Sequence, residues 1–140
     1  MMRHLSGVLF AIAVSGSSGA DRIPSLDPCP GSPNCVSSLA TDNKHFIEPL
    51  RFEDAPQAAL ARLRSVLHDT DRMEIVSESG PYLHVEATSR VFRFVDDVEF
   101  LLIPEARLIH VRSASRTGYS DFGVNRRRVE RIRAAMQSME

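Results

Sequence analysis

From Leu83 to Arg116 apolar and polar residues alternate with a period of two. Within each run, Leu83, Val85 and Ala87, then Val98, Phe100 and Leu102, then Ile109 and Val111 take the alternate positions of one face. The other face carries His84, Glu86, Thr88, Arg90, Asp97, Glu99, His110, Arg112 and Arg116. Successive side chains of a strand point to opposite faces, so this pattern describes a sheet with one covered face and one polar face. A helix cannot keep such an alternation on one side. Whatever else the chain does, it must supply an apolar layer to cover that face.

Two stretches have the spacing to do so. Leu60, Leu63 and Leu67, with Ala59 and Val66, recur at helical intervals, and the helix should end between His68 and Asp71. Asp54 is placed to cap it, with Gln57 three residues on as a capping-box partner. Near the C-terminus Val129, Ile132 and Met136 form a second stripe, preceded by Ser120 and Asp121 as capping residues. His45–Phe52 reads as a short strand before the first helix. Met73–Ser77, Tyr82–Arg90, Phe92–Ile103 and Leu108–Ser115 read as four more. The order β-α-β-β-β-β-α predicts an α+β fold, a mostly antiparallel sheet with two helices packed on one face.

Registers follow from the turns. A three-residue loop Glu78-Ser79-Gly80 sets Met73 opposite Val85 and Ile75 opposite Leu83. A turn at Pro104–Arg107 pairs Ile103 with Leu108, which places Glu99 opposite Arg112, Phe100 opposite Val111 and Val98 opposite Ser113.

The N-terminus has the form of an export signal. Arg3 and His4 precede an apolar run from Leu5 to Val14, and Ser18-Gly19-Ala20 has the small-x-small cleavage pattern. Cleavage after Ala20 releases a mature chain into an oxidising compartment, the periplasm; the alternative is an uncleaved anchor. The expected organisation is a signal over 1–20, an arm over 21–40 and one α+β domain over 41–140. Cys29 and Cys35 bracket the turn formers Pro30-Gly31-Ser32-Pro33-Asn34, and such a pair reads as a structural disulfide pinning the arm. Two thiols with no matching Cys/His pair make a poor metal site.

Charge is divided along the chain. Thr41–Ala106 carries seven basic and thirteen acidic side chains, and Arg107–Glu140 carries eight basic and three acidic. The formal net charge is −1, which argues against nucleic acid as a partner. The densest basic stretch, Arg112–Arg128, holds five arginines and three serines in seventeen positions. Its middle leads into a helix N-terminus, which favours an anion. Arg112, Ser113, Ser115, Arg116, Tyr119, Ser120, Asn125, Arg126 and Arg127 are therefore candidate ligand-binding residues. The competing reading is internal: Asp96, Asp97, Glu99 and Asp121 are the carboxylates that would satisfy these arginines as structural ion pairs.

Catalytic signals are weak. No Gly-x-Ser-x-Gly elbow occurs, the histidines are isolated, and adjacent Asp96 and Asp97 point to opposite faces, so no catalytic residue, metal ligand or cofactor is assigned. The arginine-rich helix lacks the aromatic residues of an interfacial anchor, which leaves membrane association with little support.

Three motifs in order, Cys29-Pro-Gly-Ser-Pro-Asn-Cys35-Val-Ser-Ser, Phe94-Val-Asp-Asp-Val-Glu-Phe100 and Arg112 through Arg128, resemble the bacterial and plastid family known as domain of unknown function 1499. The resemblance covers Cys29 to Met136. It implies a small domain, often exported or membrane-attached, and implies no activity, substrate or catalytic residue. The expected role is an exported envelope domain that binds a small anionic or polar ligand, or a partner protein, through the Arg/Ser-rich loop. The alternatives are a hydrolase or transferase acting on an envelope ester or phosphoester, and a purely structural assembly factor.

Overall fold

The computed structural model describes residues 24–140, so the expected export signal lies outside the described residues. Eight principal elements follow in chain order. They are β1 (Cys35–Ser37), β2 (Leu50–Arg51), α1 (Pro56–His68), β3 (Met73–Ser79), β4 (Tyr82–Thr88), β5 (Val95–Ile103), β6 (Leu108–Ser115) and α2 (Val124–Gln137). The sheet runs β1-β6-β5-β4-β3, and β2 also pairs with β6, all antiparallel. The fold is α+β.

The alternating face is the core. Leu83, Val85, Ala87, Val98, Phe100, Leu102, Ile109 and Val111 are buried with Leu60, Leu63, Val66 and Leu67 of α1 and Val129, Ile132 and Met136 of α2. Both helices thus cover one sheet face. Full burial of each large apolar side chain contributes roughly 1.5–3 kcal/mol. That is enough to outweigh local preferences wherever the two disagree.

The β5–β6 hairpin has the register required by the turn, with Ile103 opposite Leu108, Glu99 opposite Arg112, Phe100 opposite Val111 and Val98 opposite Ser113. The β3–β4 hairpin departs from expectation. Its turn is the two-residue Gly80-Pro81, with Gly80 at φ 56°, and Ser79 pairs with Tyr82. Met73 lies opposite Ala87 and Ile75 opposite Val85, because the shorter turn moves the pairing along β4 and a one-residue shift between Ile75 and Ser77 takes back part of that displacement. The extra residue, Val76, is a bulge that bends this edge strand while leaving Met73 and Ile75 packed on the core.

Three further boundaries differ. The strand expected over His45–Phe52 shrinks to Leu50–Arg51, because Asp42 accepts the amide of His45 and turns the chain, and Pro49 has no N–H to donate. The arm contributes a strand of its own, β1, laid along the end of β6 with Cys35 opposite Ala114. α1 is capped by Ala55 with no side-chain bond and starts on Pro56, so the Asp54–Gln57 capping box does not form. The Asp54 carboxylate is drawn instead to the guanidinium of buried Arg62. Cys29 and Cys35 are joined, S–S 2.05 Å, which ties the arm to β1.

Candidate functional site

Strand parity divides the arginine-rich segment before any side chain is considered. Arg112 leaves β6 on the outer, helix-free face, while Ser113 and Ser115 point to the helix side. The candidate residues consequently do not meet at one place.

The outer face carries a cross-strand ladder. Arg112 donates from Nη1 to Oε1 of Glu99 at 3.2 Å, and Tyr82 donates its hydroxyl to Oε2 of the same carboxylate at 2.7 Å. Burial, reinforced by that bond, raises the Tyr82 phenol above its ordinary value. Arg116 holds Asp97 with a two-pronged grip, Nε to Oδ2 and Nη2 to Oδ1 each at 2.8 Å, and reaches Oε1 of Glu86 at 2.7 Å. His84 Nε2 lies 2.7 Å from Oδ1 of Asp97. The Arg116 bond holds the Asp97 carboxyl below the usual range, and Asp97 and Glu86 raise Arg116 in turn.

On the helix side Asn125, fully buried, is the centre of a second network. Its Oδ1 accepts from Ser113 Oγ and from Arg128 Nη1, both at 2.7 Å. Its Nδ2 shares its two hydrogens among Oδ2 of Asp121 at 2.8 Å, Oγ of Ser115 at 2.9 Å and the carbonyl of Asn34 at 3.2 Å. Arg128 continues to Asp96, Nη2 to Oδ2 at 2.6 Å, both side chains being largely buried. Asp121 meets no arginine among the described residues. Its two oxygens take the amides of Gly123 and Asn125 at 2.8 and 2.9 Å, which orders the start of α2. Burial pushes the Asp121 carboxyl up, but these bonds outweigh it and the group sits below its ordinary value. The arm joins in: Asn34 donates from Nδ2 to the Gly118 carbonyl at 2.8 Å, so the residue before Cys35 fixes the β6–α2 loop.

The remaining arginines of the segment bind backbone. Arg126 donates to the carbonyls of Phe46 and Lys44 at 2.9 and 3.3 Å, and Arg127 to that of Phe122 at 2.7 Å. Ser120 Oγ accepts weakly from the amide of Phe122 at 3.4 Å. Tyr119 stands out from the protein with 69% of its surface exposed, and Phe122 with 87%.

Among the described residues none of Ser113, Ser115, Tyr119 and Ser120 is hydrogen-bonded to a histidine or a carboxylate. The nucleophile–base couple of a hydrolase is therefore not formed by these hydroxyls in this arrangement. A serine–histidine contact does exist elsewhere, Ser38 Oγ to His110 Nδ1 at 3.0 Å. That Oγ also accepts the amide of Val111 at 2.8 Å, which makes it a strand clamp. Burial, then the charge of Arg51, holds His110 below its ordinary pKa. Among the described residues no group of three His, Cys, Asp or Glu could hold a metal ion, and no helix is long and apolar enough to cross a membrane.

Sequence reasoning missed the loop aromatics. It absorbed Arg90, Phe92 and Phe94 into strands, whereas β4 ends at Thr88 and β5 begins at Val95. Arg90, Val91, Phe92, Arg93 and Phe94 form an exposed loop instead. It also missed Asn34 and Arg128, whose roles depend on partners far away in sequence.

The chain belongs to the family described as Protein of unknown function (DUF1499), whose match runs over residues 25–136. No curated protein matches it.

Proposed function

We propose that this DUF1499 member is an exported, non-catalytic docking domain of the cell envelope, and that it engages another envelope component through the apex of the Thr117–Asn125 loop. The observation that carries the reading is a separation of roles within one segment. The guanidinium groups of Arg112, Arg116, Arg126, Arg127 and Arg128 each have a partner in the chain itself, while Tyr119 and Phe122 face solvent. Large apolar side chains held outward on a rigid support mark an interaction surface. The Cys29–Cys35 disulfide and the signal-like N-terminus support export to the periplasm.

A small anionic ligand would find arginines in a cleft beside the α1–β3 turn. This cleft of about 560 Å³ between the α1–β3 turn and α2 is lined by Val66, Met73 and Ile132 with Arg72 and Arg131. Asp69 and Asp71 line the same cleft and offset those charges, so the docking reading is the stronger.

Retention of the full chain on washed envelopes tests the proposal. Tyr119→Ser with Phe122→Ser is expected to release the protein without lowering its melting temperature. Unchanged retention refutes it.

A further inference from the structure

We infer that the component engaged is an anionic lipid surface, and that two loops, not one, contact it. This rests on the docking reading above and specifies its partner. The β4–β5 loop, Ser89–Phe94, and the β6–α2 loop, Arg116–Gly123, leave the sheet at the same end. Thr88 pairs with Val95, Asp96 pairs with Ser115, and the amide of Arg116 reaches the carbonyl of Val95 at 3.4 Å. Ser89 and Val124 line one cleft, which places the start of α2 there as well.

Both loops end in exposed apolar side chains. Val91 and Phe92 are about as exposed as Tyr119, and Phe92 stacks on Phe94 with ring centroids 5.6 Å apart. These residues are exposed in loops and do not line the cleft described above. A protein partner would have to offer matching pockets to both loops, whereas the headgroup–acyl boundary of a bilayer admits aromatic and aliphatic tips of any outline.

Charge selects the lipid. Arg90 and Arg93 flank Val91 and Phe92, and neither has a hydrogen-bonded or ion-pair partner among the described residues, nor do Arg72 and Arg131 beside them. The guanidinium of Arg127 touches only a carbonyl, that of Phe122. The acidic groups at this end are Asp69 and Asp71 on the α1–β3 turn, Glu74 at the start of β3, and carboxylates already engaged: Glu86 and Asp97 with Arg116, Asp96 with Arg128, and Asp121 with amides. Five arginines without an ion pair thus stand against three free carboxylates at this end, an excess of two positive charges beside the apolar tips. Arginines at that height meet lipid phosphates, and each adds to the attraction of an anionic leaflet.

The chain contains no tryptophan, so a single introduced indole reports on its own loop whatever the N-terminal apolar run does. Phe92→Trp, Phe122→Trp and, at the opposite end of the sheet, Ser79→Trp are mixed as full chains with vesicles of phosphatidylglycerol and phosphatidylethanolamine, and with vesicles of phosphatidylcholine alone. The inference expects F92W and F122W emission to move to shorter wavelength and to be quenched by brominated acyl chains on the anionic vesicles, with S79W unmoved. Arg90→Gln with Arg93→Gln in the F122W chain should weaken vesicle binding on the order of tenfold or more at low salt. No response to anionic vesicles overturns the inference, as does an equal response to phosphatidylcholine. If vesicles are ignored but envelope retention still depends on Tyr119 and Phe122, the partner is a protein, and docking survives without the lipid. If neither occurs, both readings fall.

Discussion

Removing the side chain of Asn125 should cost this protein as much stability as any other single polar substitution in the arginine-rich segment. Asn125 joins four parts of the chain at one buried point: the arm through the Asn34 carbonyl, β6 through Ser113 and Ser115, the loop through Asp121, and α2 through Arg128. A typical bond of this kind contributes about 0.5–1.5 kcal/mol net, and one to a charged partner about 1.5–3 kcal/mol. Arg128 keeps Asp96, and Asp121 keeps two backbone amides, so their losses are partial. Ser113 is fully buried and keeps only Arg128, so its hydroxyl proton is left without an acceptor. Asn125→Ala should therefore cost about 3–5 kcal/mol, a large share of the roughly 5–15 kcal/mol available to a domain. That corresponds to a melting temperature lower by roughly 10–20 °C for a chain of this size. Urea denaturation followed by far-ultraviolet circular dichroism measures it, with an unchanged slope showing that the loss is in the folded state. A cost under about 1 kcal/mol would refute the assignment of Asn125 as the centre of the lattice.

Other perturbations have defined outcomes. Arg128→Met strands the buried Asp96 carboxylate and should cost about 3–5 kcal/mol, most of it recovered by adding Asp96→Asn in the same chain; denaturant titration of the single and double variants checks this. Reducing the Cys29–Cys35 bond, six residues apart, should cost about 2 kcal/mol through the freed arm, read as the melting temperature with and without dithiothreitol. Stability should also follow pH in two stages. His110 has a folded pKa below its unfolded one, so its contribution is complete above about pH 6.5 and declines as the pH falls through the folded value. Asp97 and Asp121, also depressed, contribute fully above about pH 4 and withdraw that contribution as the pH falls through their lower folded values. Melting temperatures across that range should show both stages, and His110→Gln should remove the upper one.

Much of the fold could be read from the chain because it is set by local periodicity. Phe100 opposite Val111 and Glu99 opposite Arg112 follow from alternation and a short turn, and both pairs are present. The β3–β4 register was harder, because it depends on a two-residue turn at Gly80-Pro81 and a bulge at Val76, neither of which the alternation marks. β1 was hidden because three residues carry too little pattern, and only the edge of β6 makes Cys35–Ser37 a strand. The charged segment was recognisable as important, but its convergence was not readable. Parity already separates Arg112 from Ser113, whereas the partners of Asn125 and Arg126 include Asn34 and Phe46, far away in sequence. In one dimension Phe92 looks like a strand residue and Phe122 like part of a loop leading into a helix. Only their place at the same end of the sheet gives them another meaning.

The division of labour within Arg112–Arg128 is tested most directly by measuring two quantities on the same two variants: melting temperature and retention on washed envelopes per folded molecule. Arg116→Gln breaks the grip on Asp97 and Glu86, so it should lower the melting temperature and leave retention unchanged. Phe122→Ser alters an 87% exposed tip, so it should leave the melting temperature unchanged and reduce retention. Lost retention in R116Q at an unaltered melting temperature would contradict the account, because the arginine would then be serving a partner and not the fold.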